Sequence, residues 1–252
     1  MPEGRAILVT RPEPGCAETV AAVAALGWRA VAAPALVLSS CAPATGWGRP
    51  ARALLLPSRA AARALAPLIP AALPAEIPVF AVGPGTAAEA RRAGFTDVAL
   101  AEGDAASLAA LVAARLAPGK EPGGGPGGVP LWLATGRGYS LELAAALRAR
   151  GFAVRRRVVY EARPATALPE EAAAALRAGE ICAALFLSPR SAHVTQRLLR
   201  RAGLAEQLRA VAALALSPRI AGVLAGMPWQ EIRATPVPDS SALLALLGPA
   251  PE

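Results

Sequence analysis

The feature that most constrains this 252-residue chain is a pattern it writes twice. Residues 6–36 read as a short apolar strand, Ala6–Val9, and a turn, Thr10-Arg11-Pro12-Glu13-Pro14-Gly15. An amphipathic helix follows from about Cys16 to Leu26, with a stop at Gly27 and a second strand over Trp28–Ala33. Residues 130–160 repeat that order: strand Leu131–Ala134, turn Thr135-Gly136-Arg137-Gly138, helix Leu141–Arg150, stop at Gly151, strand Phe152–Tyr160. Three more features recur in register. Leu54-Leu55-Leu56-Pro57-Ser58-Arg59 parallels Leu185-Phe186-Leu187-Ser188-Pro189-Arg190, and Val79-Phe80-Ala81-Val82-Gly83-Pro84 parallels Ala213-Leu214-Ala215-Leu216-Ser217-Pro218. Ser107–Leu111 parallels Ser241–Ala245. A chain that alternates strand and helix about four times per copy implies duplication of an α/β unit with parallel sheets covered on both faces. Gly119–Gly128 reads as a flexible surface loop between the copies.

The apolar content of 54% supplies a core, and with charged residues at only 17% disorder is excluded as the main state. Mean hydropathy is high at +0.41, yet Arg29 interrupts Val20–Leu38, and Pro218 and Arg219 end the run from Ala210. Neither run reaches the ~20 apolar residues a spanning helix needs. At the N-terminus Glu3 and Arg5 precede only four apolar residues, which predicts a buried strand rather than a signal peptide. Three scattered cysteines, Cys16, Cys41 and Cys182, make neither a disulfide framework nor a zinc site, so no metal and a cytoplasmic location are expected. The net charge of +8 invites a nucleic-acid reading. Lys120 is the only lysine, however, and Arg usage beside heavy Ala, Gly and Pro fits a coding bias. No nucleic-acid partner is expected; a polyanionic small substrate suits the charge.

At the predicted strand ends stand small hydroxyls, glycines and arginines: Thr10-Arg11, Ser58-Arg59, Gly83-Pro84-Gly85-Thr86, Thr135-Gly136-Arg137-Gly138, Ser188-Pro189-Arg190 and Ser217-Pro218-Arg219. Each leads from a strand into a helix N-terminus, where unpaired N–H groups and the helix dipole favour an anion. Ser or Thr there either caps the helix or donates to a ligand, and Arg adds a bidentate partner for carboxylate or phosphate. Ordinary capping accounts for any one of these sites. Several converging on one cleft suit a polyanion.

Other chemistries fit less well. Gly136-Arg137-Gly138 follows a strand, with Arg155, Arg156 and Arg157 after it, but Leu141 stands where a dinucleotide fingerprint has its third glycine. Gly83-Pro84-Gly85 fails in the same way, with Ala88 third. His193, the only histidine, falls in the first turn of a helix and has no triad partners. Glu170-Glu171 reads as an N-terminal charge preference. Tyr160 ends a strand before Glu161-Ala162-Arg163-Pro164, where a core or hinge role and a cleft role are both open; Tyr139 sits in the glycine turn.

The ordering of Ile7–Pro12, Leu26-Gly27, Leu187–Ala192, Val82–Ala87 and Val158–Glu161 resembles the uroporphyrinogen-III synthase family over essentially the whole chain. That resemblance implies two flavodoxin-like α/β lobes with parallel sheets around a central cleft, joined by extended linkers near Pro34–Leu38 and Val158–Arg163. Lobe one would comprise residues 1–36 plus 165–252, and lobe two residues 37–164. The implied reaction needs no cofactor: hydroxymethylbilane loses water and closes, with inversion of ring D through a spiro intermediate, to uroporphyrinogen III. By motif match Tyr160 would assist departure of the hydroxyl or orient the terminal ring. Thr10, Arg11, Ser58, Gly83, Thr86, Ser188 and Ser217 would bind substrate, with Thr135 and Arg137 at the corresponding turn. A tetrapyrrole substrate, a monomer and transient contact with hydroxymethylbilane synthase follow as partner expectations.

The sequence departs from the family pattern at two places. Pro57 precedes Ser58 where Thr is usual, and Ser217-Pro218-Arg219-Ile220 replaces a Gly-Pro-Thr-Thr-like turn. Ser217 or the local backbone is expected to take over carboxylate binding there. A non-catalytic two-lobe binder of an organic polyanion would share all these features except turnover.

Overall fold

Strand β1 (Ala6–Val9) shows how the sheets are made: four apolar residues, all fully buried, face both ways. Ala6 and Leu8 enter one apolar cluster while Ile7 and Val9 enter another, as period-two side chains between two helical layers must. The computed structural model describes residues 5–41, 47, 50–69, 73–117, 128–236 and 239–250. The predicted loop Gly119–Gly128 lies outside them, apart from Gly128.

The chain divides into two compact units, Met1–Val37 with Arg163–Glu252, and Leu38–Ala162. In the first unit β1 leads through α1 (Gly15–Ala25) to β2 (Arg29–Ala32). Gly27, at φ +84°, turns the chain after α1, a conformation open to glycine at no steric cost. After Arg163 the unit continues through α6 (Glu170–Arg177), β9 (Ile181–Phe186), α7 (Pro189–Arg201), β10 (Ala212–Ala215), α8 (Pro218–Leu224), β11 (Glu231–Ala234) and α9 (Ser240–Ala245). Its sheet is parallel, in the order β11-β10-β9-β1-β2. Helices α6, α7 and α8 cover one face, while α1 and α9 cover the other.

The second unit contains β3 (Leu36–Ser40, which begins in the first), β4 (Ala53–Leu56), α2 (Arg59–Leu65), β5 (Val79–Ala81) and α3 (Pro84–Arg92). It continues through β6 (Val98–Leu100), α4 (Ala105–Arg115), β7 (Leu131–Gly136), α5 (Leu141–Ala149) and β8 (Val154–Pro164). The sheet order is β3-β8-β7-β4-β5-β6, with β4, β5, β6, β7 and β8 paired in parallel. Helices α2 and α3 pack on one face, α4 and α5 on the other.

The repeat explains both orders. If each strand is replaced by its counterpart in the other copy, β2-β1-β9-β10-β11 becomes β8-β7-β4-β5-β6, which is the parallel part of the second sheet. Each unit thus takes its strand–helix–strand from one copy and its remaining strand–helix pairs from the other. The first unit reads 2-1-3-4-5 along its chain, the flavodoxin-like order, and the second is the same sheet with its segments permuted. The chain changes unit within β3, which begins two residues after Pro34, and within the eleven-residue β8.

Candidate functional site

In a doubly wound sheet, loops at the carboxyl ends of the strands diverge where the connection direction reverses, and ligands bind there. In the second unit that point lies between β4 and β7. Ser58 follows β4 and caps α2, its Oγ accepting the Ala61 N–H at 3.2 Å. The Tyr160 hydroxyl reaches the same atom at 3.4 Å from β8. Tyr160 is 9% exposed, so its ring is core while its hydroxyl ends at a helix N-terminus.

The strand end beside it is shaped by Gly136. A β-carbon built there would stand 2.6 Å from Tyr160 Cζ and 2.9 Å from Tyr139 Cδ2, closer than real side chains approach. The two tyrosine rings lie 6.2 Å apart at 32°, both against the glycine. The turn that carries Arg137 and Tyr139 is tied at several points. Arg137 N–H donates to the Tyr160 carbonyl at 3.0 Å, and Arg156 Nη2 donates to the Tyr139 carbonyl at 2.7 Å. Thr135, almost fully buried, donates its hydroxyl to Ser140 Oγ at 3.1 Å, holding Ser140 in a left-handed conformation at φ 57°. Thr135 therefore shapes the turn. Arg137 is exposed, with its Nε 3.5 Å from Glu161 Oε1.

Gly83 stands at the start of α3 in extended backbone, followed by Pro84 at the first helical turn. Gly103 Cα would lie 3.3 Å from a methyl on Gly83. Thr86 is 5% exposed in the first turn of α3, with its N–H on the Gly83 carbonyl. Arg59 lies alongside Gly85, where burial and the neighbouring Arg63 lower its pKa and Glu89 opposes them. Helices α2 and α3 are locked together by Glu89, which accepts from Arg63 Nε at 2.7 Å and Nη2 at 3.1 Å and also pairs with Arg92. Those hydrogen bonds hold the Glu89 carboxyl below the usual carboxylate range.

In the first unit the reversal lies between β1 and β9. Thr10 is fully buried there, and its hydroxyl donates to the Leu185 carbonyl of β9 at 2.7 Å. That proton is committed to the sheet. Thr235, after β11, does the same toward Leu216 at 2.8 Å. Arg11 folds over the start of α1: a methyl on Gly15 would stand 2.8 Å from its Cζ. Ser188 caps α7, accepting the Ser191 N–H at 3.0 Å. Ser217 occupies the same position before α8, yet its side chain makes no capping bond.

The structure thus brings Ser58, Thr135, Arg137 and Tyr160 together in the second unit, with Gly83 and Thr86 at the neighbouring helix start. Thr10, Arg11, Ser188 and Ser217 occupy the strand ends of the first. Tyr139 was missed as a neighbour of Tyr160; the signal was the glycine turn, which brings the chain back over Gly136. His193 is exposed on α7. Among the described residues no cluster of three His, Cys, Asp or Glu side chains could hold a metal ion, and no helix is long and apolar enough to cross a membrane.

Two doubly wound units whose strand ends present hydroxyls, glycines and helix N-termini define a duplicated α/β protein of flavodoxin-like sheets. The family model for uroporphyrinogen-III synthase HemD (HEM4) matches residues 17–245, and the chain belongs to that family. Among solved structures, uroporphyrinogen-III synthetase from Helicobacter pylori is similar at 16% identity and a TM-score of 0.64, covering 96% of this chain and 98% of that one. A mutant uroporphyrinogen III synthase from Thermus thermophilus is similar at 21% identity and a TM-score of 0.55, covering 96% and 95%. At those identities the likeness speaks for the fold. No curated protein sequence matches the chain.

Proposed function

We propose that this chain is a cofactor-independent, cyclising hydro-lyase that converts hydroxymethylbilane to uroporphyrinogen III in tetrapyrrole biosynthesis. The observation that carries the reading, beside family membership, is the Tyr160 hydroxyl set 3.4 Å from Ser58 Oγ at the head of α2. The Tyr160 proton is aimed at the leaving hydroxyl. The nitrogen of ring A, the end ring that carries the hydroxymethyl group, pushes out that hydroxyl as the C–O bond breaks, and the oxygen leaves as water with the delivered proton. An azafulvene cation remains. Attack by the substituted carbon of ring D gives a spiro intermediate. Its fragmentation and reclosure invert the ring, and a lost ring proton restores aromaticity.

Most of the work is positioning, for the linear tetrapyrrole also closes without help. Its acetate and propionate groups are taken by the helix N-termini after Ser58, Gly83, Ser188 and Ser217, with Arg11 and Arg137 as charged partners. Thr10, Thr86 and Thr135 act from beneath, fixing the strand ends and turns that carry those groups. The protein works in the cytoplasm as a monomer, in transient contact with hydroxymethylbilane synthase.

The test is a coupled assay in which hydroxymethylbilane is generated enzymatically and the oxidised porphyrin isomers are separated. Spontaneous closure gives isomer I, and the protein is expected to switch the product to isomer III. Isomer I alone, from protein shown to be folded, overturns the reading in favour of a polyanion binder.

A further inference from the structure

The turn after β7 is held harder than a surface turn needs. Hydrogen bonds fix it from several directions. The Tyr139 N–H donates to the Gly136 carbonyl at 3.1 Å, the Arg137 N–H to the Tyr160 carbonyl at 3.0 Å, and Arg156 Nη2 to the Tyr139 carbonyl at 2.7 Å. Ser140, next in the chain, keeps a left-handed backbone at φ 57° while its Oγ accepts from Thr135. A residue with a β-carbon stays in that conformation only where its surroundings over-determine it.

The side chain these restraints fix is that of Tyr139. Its ring edge and the hydroxyl-bearing end of the Tyr160 ring close on the same α-carbon. A methyl on Gly136 would stand 2.9 Å from Tyr139 Cδ2, and 2.6 and 2.7 Å from Tyr160 Cζ and Cε2. The ring centroids, 6.2 Å apart at 32°, lie within the ~4.5–7 Å range of aromatic contact. Tyr160 belongs to the apolar core of that face, whereas Tyr139 is half-exposed. Core formation accounts for the first ring and not for the second. The Tyr160 hydroxyl reaches Ser58 Oγ at 3.4 Å, beyond the ~2.5–3.0 Å of a firm O–H···O bond. That contact does not hold the phenol by itself.

We propose that Tyr139 is a positioning residue: its ring walls the hydroxyl end of Tyr160 and keeps that hydroxyl at Ser58, which sets the rate at which isomer III forms. The inference rests on the function proposed above. It assigns the task to the ring of Tyr139 rather than to its hydroxyl, so Tyr139→Phe should keep what Tyr139→Leu loses. Both variants alter a half-exposed side chain and leave the backbone bonds of the turn in place.

Tyr139 and Tyr160 are the only tyrosines in the chain, so protein labelled with ¹³C at tyrosine Cζ gives two resonances, assigned from the Phe variants. Ser58→Ala should move the Tyr160 resonance in the parent and in Tyr139→Phe protein. In Tyr139→Leu protein, where the hydroxyl has left the serine, it should not. In the coupled isomer assay Tyr139→Leu should lower kcat for isomer III by about tenfold with KM unchanged, and Tyr139→Phe should restore it. Beside Tyr160→Phe, Tyr139→Leu should cost nothing further, because its effect passes through the Tyr160 hydroxyl.

The proposal is overturned if Ser58→Ala moves the Tyr160 resonance as far in Tyr139→Leu protein as in the parent. It is also overturned if Tyr139→Phe does not rescue, if the loss falls on KM, or if the loss persists in full beside Tyr160→Phe. Isomer I alone from the parent overturns the reaction itself, whereas the resonance measurement decides the coupling of the two tyrosines without turnover.

Discussion

The Tyr160 hydroxyl and the Ser58 hydroxyl stand 3.4 Å apart, joining β8 to the N-cap of α2. Ser58 also accepts the Ala61 N–H, and either hydroxyl of the pair can donate to the other. Tyr160→Phe should lower kcat for isomer III by about 10²-fold, the lower range for loss of a positioned proton donor. Because the Tyr160–Ser58 bond is long, the thermal midpoint should hardly move. An unchanged isomer III rate would remove Tyr160 from the chemistry.

Gly136 is required by packing. The β-carbon of Gly136→Ala would stand 2.6 Å from the Tyr160 ring and 2.9 Å from that of Tyr139, so one ring must move. Overpacking of this kind costs about 1–3 kcal/mol. Denaturant unfolding should show that loss, with an isomer III rate reduced alongside it. A variant of full stability and activity would mean that the rings are not held as described.

Ser188 and Ser217 hold equivalent places but make different bonds, and the two alanine variants should separate accordingly. Ser188→Ala removes a cap that accepts the Ser191 N–H and should destabilise by about 1 kcal/mol. Ser217→Ala removes a hydroxyl that caps nothing, so stability should hold while kcat/KM falls. If Ser217→Ala and Arg219→Ala both leave kcat/KM unchanged, the turn 217–220 does not bind the substrate.

Glu89 couples α2 to α3 through Arg63 and Arg92, and those partners depress its pKa from the usual 4.5. A carboxylate depressed on folding contributes stability that is present above its unfolded pKa and is lost as pH falls through the folded value. Glu89→Gln should therefore cost about 1–3 kcal/mol at neutral pH. The difference from the parent should shrink as pH falls from about 4.5 downward. Thermal melts at several pH values would show this; a difference that grows on acidification would contradict it.

The three cysteines should react unequally. Burial, with Glu13 adding to it, pushes the Cys16 thiol up to about 11, and burial raises that of Cys182 as well. Cys41 is exposed. A thiol-specific reagent at mild alkaline pH should label Cys41 first and Cys16 last, as mass spectrometry of the digest can follow. Rapid labelling of Cys16 in folded protein would contradict the burial.

The elements were legible because their signals are local. Gly27 and Gly151 stop α1 and α5 where the sequence predicts, and the predicted helices Cys16–Leu26 and Leu141–Arg150 appear as Gly15–Ala25 and Leu141–Ala149. The α/β class followed from that alternation. What could not be read was how hydroxyls are spent. Thr10 and Thr135 look like ligands in sequence, yet the neighbouring carbonyl of Leu185 and the turn hydroxyl of Ser140 take their protons. Such partners come from other strands or from a left-handed residue, and no spacing announces them. The Tyr139–Tyr160 pair was hidden likewise, for only the register shift between Thr135 and Gly136 sets both rings on one glycine.

The exchange of segments between the two sheets also sets a timetable for synthesis. The second unit lies in one continuous stretch, Leu38–Ala162, and every strand of its sheet has been translated before β9, which the first unit needs to close. Strand β1 waits for β9: the bond from Thr10 to Leu185 joins residues 175 positions apart. For most of translation β1 and β2 therefore leave the ribosome with one edge of β1 unpaired, the state in which nascent strands associate wrongly. Strand β1 is made before the second unit, but its pairing with β9 can form only after that unit has been made.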